Sequence, residues 1–215
     1  MSDKIIYGNP NAVQYLILQQ ETYLDGLLPD FINHPPPSAE YQIKEELTEL
    51  QRKVAVTMQN EAAEQRYDLW DKGFIKYIKY NLVPKEETKI IEQISETVDG
   101  IVKDSLPLLM KTKFHFNRPR PYQLAAYYGI ALYPYPSISS DSPSYISGHA
   151  FQSKLICEVL GNHYPDKYGF FQNLAQDIAL SRLHMGLHYR SDIEMGIFAA
   201  KQVLKNKEFM LKYGL

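Results

Sequence analysis

The chain has 215 residues, which is long enough for one domain with a single sizeable hydrophobic core. Its hydrophobic content of 45% and charged content of 22% are those of a folded globular protein and exclude an intrinsically disordered one. The formal net charge of -2 at pH 7 gives no electrostatic footprint for nucleic acid or for an anionic membrane surface, so we expect neither as a partner.

The N-terminal residues lack a basic start followed by an apolar stretch, so no signal peptide is predicted. No window approaches the roughly 18 apolar residues that a membrane-spanning helix needs. The single cysteine, Cys157, excludes an intrachain disulfide, and its apolar helical surroundings predict a core position. We therefore expect a cytoplasmic or otherwise soluble protein without a membrane span, and the sequence leaves a homo-oligomer open.

Apolar residues recur mostly at intervals of three and four, which predicts α-helices rather than strands. In the N-terminal half the predicted helices run from Pro10–Asn11 to about Leu28, from the N-cap Ser38 to near Trp70 with closure at 71–73, over 74–82, and over 85–106. Pro35, Pro36 and Pro37 separate the first two helices, and Pro107 limits or kinks the last. We interpret the charged face of the second helix, which carries Glu45, Glu46, Glu49, Arg52 and Lys53, as solvated surface.

The C-terminal half combines helical pattern with one long loop. Residues 111–132 are predicted to be helical in pieces, interrupted by Pro119 and Pro121, and the Pro-, Ser- and Asp-rich stretch 133–147 is predicted to be a loop. Further helices are predicted over 148–163, over 166–185 with Gly186 as the stop, and from a Ser191–Glu194 capping box towards Lys207. The expected fold is an all-α, single-domain helical bundle of about eight helices over 1–215, in which helices of 1–110 pack around a motif-bearing part, 111–207.

Three short segments concentrate groups suited to a phosphoryl anion. In chain order they read Lys113-x6-Arg120-Pro121, Ser147-Gly148-His149 and Ser181-Arg182-x5-His188-x3-Asp192. The first and third segments supply three cations between them. The second lies at a predicted loop-to-helix junction, where unpaired backbone N–H groups and the positive helix end favour a bound anion.

The third segment also pairs a histidine with a carboxylate. If Ser191 begins a helix, Asp192 lies in its first turn and His188 lies just before it. A carboxylate four residues along then reaches one ring nitrogen of His188, which fixes the tautomer and leaves the other nitrogen basic. This arrangement predicts His188 as a nucleophile.

The three segments, in this order and with every internal spacing intact, resemble the signature of the type 2 phosphatidic acid phosphatase and vanadium haloperoxidase superfamily. The likeness is greatest to the bacterial class A non-specific acid phosphatases. Their Arg-x-Arg-Pro and Gly-Ser-Tyr-Pro-Ser-Gly-His stretches are similar to Arg118-Pro-Arg120-Pro121 and Pro143-Ser-Tyr-Ile-Ser-Gly-His149. The chain departs from that pattern at Ile146, where the family usually has Pro, and in showing no signal peptide, because class A enzymes are normally exported.

The resemblance implies a metal-independent phosphohydrolase that cleaves phosphomonoesters through a phosphohistidine. His188 attacks phosphorus while Asp192 holds it in register, and His149 protonates the leaving oxygen and then activates water. The groups that would bind the phosphate oxygens are Lys113, Arg120, Ser147, Gly148 and Arg182. No metal or other cofactor is implied, and the expected partner is a small phosphorylated substrate.

Three other functions stay open at this point. A vanadate-dependent haloperoxidase would hold vanadate as a cofactor in the same anion pocket, an idle anion-binding module would need the cations alone, and a lipid phosphatase would usually have membrane helices. Among the flanking residues we expect His115 and His184 to be structural or solvated and Arg190 to be solvated. Arg118 is left open between a phosphate contact and a surface charge.

Overall fold

The computed structural model describes residues 7–63, 65–67, 70, 73, 77, 88–137 and 140–215. Within them the regular structure is α-helix and short 3-10 turns without a strand, so the predicted all-α bundle is confirmed. The helices of this described part are α1 (Ala12–Leu18), α2 (Leu28–Ile32), α3 (Glu40–Thr57), α4 (Thr88–Phe116), α5 (Pro121–Tyr127), α6 (Gly148–His163), α7 (Tyr168–His184), α8 (Arg190–Val203) and α9 (Lys207–Tyr213). The division of a single domain at residue 110 stays a prediction.

The first predicted helix is wrong in its extent, because α1 ends at Leu18, a 3-10 turn covers Asp25–Leu27, and α2 begins only at Leu28, where the predicted helix was to end. A capping box begins α1: the Asn11 side chain accepts from the Gln14 N–H at 2.9 Å, and the Gln14 side chain accepts from the Asn11 N–H at 3.0 Å. Helix α2 begins separately with Pro29 in its first turn. Proline suits that position and lacks the N–H that a longer helix would need there, so the chain restarts at this point.

The second predicted helix is also shorter than expected. Helix α3 has Ala39 rather than Ser38 as its N-cap and ends at Thr57, well before Trp70. The Asn60 side chain accepts a hydrogen bond from the Ala63 N–H at 3.1 Å, which caps a new helical turn and explains the break. The predicted closure at 71–73 and the predicted helix over 74–82 fall almost entirely outside the described residues.

Helix α4 continues through Pro107, so the predicted limit near Leu106 is wrong. A proline inside a helix removes one backbone hydrogen bond and costs about 3 kcal/mol. Here the apolar face continues on both sides of it, and Ile101, Leu108 and Leu109 are all buried. Their burial offsets the loss, since each fully buried aliphatic side chain contributes about 1.5–3 kcal/mol. The unbroken helix carries Lys113 in its last turn.

Helix α6 is the central helix of the C-terminal half and packs against both α7 and α8. Its predicted bounds are confirmed, and Cys157 lies in the core, where burial raises the pKa of its thiol to about 12. A 3-10 turn precedes α7, and Gly186 follows it with a φ of 72°, a left-handed conformation that favours glycine. Among the described residues no helix is long and apolar enough to cross a membrane. The start of α6 therefore places Ser147, Gly148 and His149 at one end of the packed core.

Candidate active site

The start of α8 brings His188 and Asp192 together. Its N-cap is Tyr189, and the Asp192 carboxylate accepts from the Tyr189 N–H at 3.0 Å, so the predicted Ser191–Glu194 capping box is wrong. The predicted contact between Asp192 and His188 still forms, because Asp192 lies in the first turn and His188 lies just before the helix. Asp192 itself performs the capping that the sequence pattern assigned to its neighbour.

The two ring nitrogens of His188 have partners of opposite character. Nδ1 lies 3.1 Å from Asp192 Oδ2, and Nε2 lies 3.0 Å from Arg120 Nη1. An ionised carboxylate only accepts and a guanidinium only donates, so these partners assign the proton to Nδ1 and the lone pair to Nε2. Burial, and after it the positive charge of Arg120, lowers the pKa of His188 well below its usual value. The ring is therefore neutral, and its Nε2 lone pair accepts from Arg120.

Asp192 is fully buried and accepts from four donors. Arg118 Nη1 lies 2.6 Å from Oδ1, while Oδ2 accepts from the Ser144 hydroxyl, the Tyr189 N–H and His188 Nδ1. Burial acts to raise the pKa of Asp192, but Arg118 and the hydrogen bond from His188 outweigh it and lower the pKa below its usual range. Asp192 is thus an ionised carboxylate inside the protein, which is the form that orients a histidine.

The three predicted cations are all buried beside this pair. Lys113, Arg120 and Arg182 are 3%, 1% and 0% exposed. Lys113 Nζ donates to the Pro143 carbonyl at 2.6 Å, and Arg120 Nε donates to the Ser142 carbonyl at 2.8 Å. Burial lowers the pKa of Lys113, and the charges of Arg120 and Arg182 lower it further. The cations therefore lie close enough to repel one another, and a bound anion would relieve that repulsion.

The Ser147-Gly148-His149 turn lies against the cation-bearing end of α4. The Ser147 side chain caps α6 by accepting from the Ala150 N–H, and the Ser147 N–H donates to the Asp192 carbonyl at 2.9 Å. A Cβ placed on Gly148 would lie 3.1 Å from a methyl carbon of Leu109 and 4.0 Å from Lys113 Cε. The first turn of α6, which includes the half-buried His149, is therefore next to Lys113 on one side and Asp192 on the other.

The structure thus brings the predicted site residues from all three segments to one buried region at the start of α6. The overall course of the chain is similar to a solved structure, that of a bacterial vanadium-dependent iodoperoxidase, with a TM-score of 0.63 over 83% of this chain at 17% sequence identity. The fold is haloperoxidase-like.

The chain spans about half the length of that iodoperoxidase, 52% of it. No protein-family model and no curated protein matches the sequence. The likeness confirms the haloperoxidase-like fold that the three motifs predict, while the acid-phosphatase subclass stays a prediction. It also leaves the roles of the individual site residues to be argued from their own geometry.

Gly196 is a positioning residue of this haloperoxidase-like fold that sequence reasoning missed. A Cβ placed there would lie 2.7 Å from the Ser147 carbonyl oxygen and 3.2 Å from Ala150 Cβ, so only glycine lets α8 approach the start of α6 this closely. The available signal was a glycine inside an apolar helical pattern, four residues after Asp192. Its absent side chain keeps the Ser147–Gly148 turn in contact with the His188–Asp192 pair.

We expect Gly196→Ala to lower the free energy of unfolding by about 1–3 kcal/mol, because the new methyl group would press on backbone at Ser147. In a chain of this size that corresponds to a decrease in melting temperature of roughly 2–4 °C per kcal/mol. The matched control is Gly169→Ala in α7, where a Cβ meets nothing within 4 Å and should stabilise the helix. Equal melting temperatures for the two variants would contradict the close approach.

The residues that flank the motifs differ from expectation in one important case. Arg118, left open between a phosphate contact and a surface charge, is neither: it is buried and forms ion pairs with Asp192 and Glu46. The expectation that Glu46 belongs to a solvated face is therefore wrong. Arg190 is exposed, as expected, and pairs with Glu49 on the neighbouring α3.

The other two flanking histidines are structural or solvated, as expected. His184 Nδ1 lies 3.2 Å from the Thr57 hydroxyl, and its ring packs against Tyr67. His115 is exposed and contacts the ring of Phe116 edge-on. The contacts of both histidines in the described part of the chain are with residues other than His188 and Asp192, so His184 serves below as a matched control.

Acidification is expected to destabilise the protein through His188. Its folded-state pKa lies below the usual value of 6.5, so the unfolded chain binds a proton more readily, and the free energy of unfolding falls as the pH falls below 6.5. We expect the His188→Gln variant to lose less melting temperature than the wild type between about pH 7 and pH 5. The pKa of His184 is lowered in the same direction, mainly by burial, so His184→Gln is measured in parallel. An unchanged slope for His188→Gln would show that the imidazole is not held neutral.

Proposed function

We propose that the chain is a metal-independent phosphohydrolase that cleaves phosphomonoesters through a phosphohistidine on His188. The observation that carries this proposal is the pair of contacts on the His188 ring. Asp192 holds the proton on Nδ1, and Nε2 is directed towards Arg120, among the buried cations. A neutral imidazole whose Nε2 lone pair is directed at an anion-binding region is suited to attack on phosphorus once a substrate's phosphoryl group takes the place of the Arg120 contact.

In the first step, His188 Nε2 forms a bond to phosphorus as the bond from phosphorus to the leaving oxygen breaks. His149, protonated at the start, donates its proton to that oxygen, and the alcohol departs. The positive charge that develops on His188 is balanced by the Asp192 carboxylate through Nδ1–H. General acid catalysis of this kind typically contributes about 10²–10⁴-fold.

In the second step, the now neutral His149 takes a proton from water while the water oxygen bonds to phosphorus. The phosphorus–nitrogen bond breaks and its electron pair returns to His188 Nε2. Phosphate leaves with His149 protonated again, so both histidines regain their starting states. The balance is one phosphomonoester and one water giving one alcohol and one phosphate.

The buried cations supply the charge stabilisation that many phosphoryl-transfer enzymes obtain from metal ions. The charge of the transition state is spread over three equatorial oxygens, and positioning plus electrostatic stabilisation account for most of the catalysis. Lys113, Arg120 and Arg182 would face these oxygens together with the Gly148 N–H. Loss of one preorganised donor of this kind costs about 3–4 kcal/mol in other enzymes.

A second candidate is a vanadate-dependent haloperoxidase, because the iodoperoxidase has a similar fold and that fold is compatible with either activity. The donor set fits vanadate, because a buried group of three cations at a helix start suits any tetrahedral oxyanion. Bound vanadate would supply the oxidation of halide by peroxide. Lys113, Arg120, Arg182 and the Gly148 amide would hold it.

The deciding experiment is hydrolysis of p-nitrophenyl phosphate from about pH 4 to pH 8 with a chelator present, comparing the wild type with His188→Ala. We expect turnover in the chelator, its loss in the variant, and inhibition by vanadate, which resembles the trigonal-bipyramidal transition state. His184→Gln is the control, because His184 lies outside the site and should leave turnover unchanged.

Each result separates the candidate functions. Trapping of phosphate on the wild type but not on His188→Ala would identify the intermediate. Absence of turnover at every pH, followed by halide oxidation that depends on added vanadate, would establish the haloperoxidase instead. Failure of both assays would leave the idle anion-binding module.

A further inference from the structure

Arg118 lies between two carboxylates from distant parts of the chain. Its Nη1 donates to Asp192 Oδ1 at 2.6 Å and its Nη2 donates to Glu46 Oε2 at 2.9 Å. The guanidinium carbon lies 3.8 Å from the centre of the Tyr189 ring, so the group is stacked as well as paired. Only 5% of the Arg118 side chain is exposed, so water competes little for these contacts.

The Ser191 side chain closes these contacts into a ring. Arg118 Nη1 donates to the Ser191 hydroxyl at 2.8 Å, and that hydroxyl donates to Glu46 Oε2 at 3.0 Å. Glu46 Oε1 accepts from the Ser191 N–H at 2.7 Å, which also caps the start of α8. A planar guanidinium with both of its ends held in this way is fixed against rotation.

We propose that Glu46 and Arg118 are positioning residues for catalysis, which hold the Asp192 carboxylate in the orientation that keeps the proton of His188 on Nδ1. The inference rests on the proposed function for its catalytic readout. Neither residue contacts the reacting atoms in this arrangement. Both act through Asp192, and Glu46 acts through Arg118.

The reason lies in how the donors divide between the two oxygens of Asp192. Oδ2 receives three donors, including His188 Nδ1, whereas the strongest partner of Oδ1 is Arg118. Arg118 is the donor that Oδ1 has in the described part of the chain. Removing it leaves a buried carboxylate oxygen without a partner, which is costly. The carboxylate would then rotate or take up a proton, and a protonated carboxyl can no longer serve only as an acceptor for His188.

Electrostatics supports the same assignment. Burial acts to raise the pKa of Asp192, and Arg118 is the first of the charges that lower it. Burial acts to lower the pKa of Arg118, and Asp192, then Tyr189, then Glu46 raise it above its usual value. Glu46 thus holds Arg118, Arg118 holds the Asp192 carboxylate, and Asp192 orients His188.

The test compares Arg118→Met, Glu46→Gln and the double variant in p-nitrophenyl phosphate hydrolysis. Loss of the partners that orient a metal-ligating histidine typically costs 10–100-fold in activity, and by analogy we expect kcat of Arg118→Met to fall by roughly 10–100-fold. KM should change by less than about 2-fold, because the phosphate-binding cations remain. The double variant should be no worse than Arg118→Met, since residues that act in one chain are not additive.

A spectroscopic measurement gives a readout that does not depend on turnover. The ¹⁵N shifts of the His188 ring should report a proton on Nδ1 in the wild type and an average over both tautomers in Arg118→Met. Arg118→Lys should restore little of the Nδ1 tautomer, because one ammonium group cannot bond to two carboxylates and a hydroxyl at once as the guanidinium does. Because an unfolded chain would also average over both tautomers, the shifts are compared only for a variant whose melting temperature shows that it is folded.

The matched control is the exposed ion pair of Arg190 with Glu49, which joins the two helices that carry Asp192 and Glu46, α8 and α3. Arg190→Met and Glu49→Gln remove a contact between α3 and α8 without touching Asp192, and kcat should stay within about 2-fold of the wild type, as for surface pairs that contribute little. An equal loss of kcat in these controls would overturn the inference, because helix docking would then explain it.

The remaining outcomes also decide the question. Full kcat in Arg118→Met, with activity abolished in His188→Ala, would overturn the inference and leave the proposed function standing. If the wild type has no turnover, the proposed function fails, and an unchanged His188 tautomer in Arg118→Met would overturn the inference as well. If Arg118→Met does not fold, Glu46→Gln must show the tautomer change and lower kcat, or the inference is wrong.

Discussion

Replacement of Asp192 with Asn is expected to lower kcat about 10⁴-fold, as loss of the orienting carboxylate does in other histidine-dependent sites. The two oxygens of Asp192 both accept hydrogen bonds: Oδ1 from Arg118, and Oδ2 from His188 and the Tyr189 N–H. An amide of the same shape must place its NH2 group at one of these positions. Facing Arg118 it opposes another donor, and facing His188 it forces the proton onto Nε2, which removes the nucleophilic lone pair.

The measurement is kcat and KM of Asp192→Asn with p-nitrophenyl phosphate, together with its melting temperature. We expect KM to change little, because the cations that bind phosphate are intact. The matched control is Asp177→Asn on the exposed face of α7, which should behave as the wild type. A value of kcat within about 10-fold of the wild type would show that Asp192 does not orient the nucleophile.

Replacement of His149 with Ala should produce a loss that depends on the leaving group. With an alkyl phosphate, whose alkoxide is a poor leaving group, we expect kcat to fall by about 10²–10⁴-fold because the general acid is gone. With 2,4-dinitrophenyl phosphate, whose anion leaves without a proton, the first step should be nearly unaffected. His149 is the second residue of α6 and half-buried, which is consistent with access to a bound substrate.

The comparison of the two substrates is the informative measurement for His149, because both are hydrolysed by the same variant preparation. His163→Ala, at the other end of α6, is the control for histidine replacement in this helix. The quantity to compare is kcat/KM, which reports the first step, because His149 also activates the water of the second step and its loss lowers kcat on both substrates. Equal losses of kcat/KM on both substrates would indicate that His149 binds the phosphoryl group or supports the fold instead of donating a proton.

The features that could be predicted from the sequence are those encoded by residues close together in the chain. The bounds of α6 follow from a serine that caps its own helix and from an apolar pattern that continues to His163. The pairing of His188 with Asp192 follows from a separation of four residues at a helix start. In both cases the responsible side chain and the backbone it contacts are within one turn.

The features that could not be predicted depend on partners far away in the chain. Arg118 and Glu46 are 72 residues apart, and no periodic pattern links them. Charged residues on a helix usually face solvent, so the buried role of Glu46 had no local signal. At Pro107 the local signal was strong but misleading. Proline favours the end of a helix, and packing on both sides of Pro107 overrides that preference.

The burial of Lys113, Arg120 and Arg182 also affects whether the protein is free or bound to phosphate between turnovers. A cluster of cations that favours a tetrahedral dianion does not distinguish a substrate's phosphoryl group from free phosphate. We therefore expect the molecule to rest as its product complex wherever phosphate is abundant, with turnover governed by the departure of phosphate. Its rate of hydrolysis would then be low where phosphate is abundant and would rise as phosphate becomes scarce.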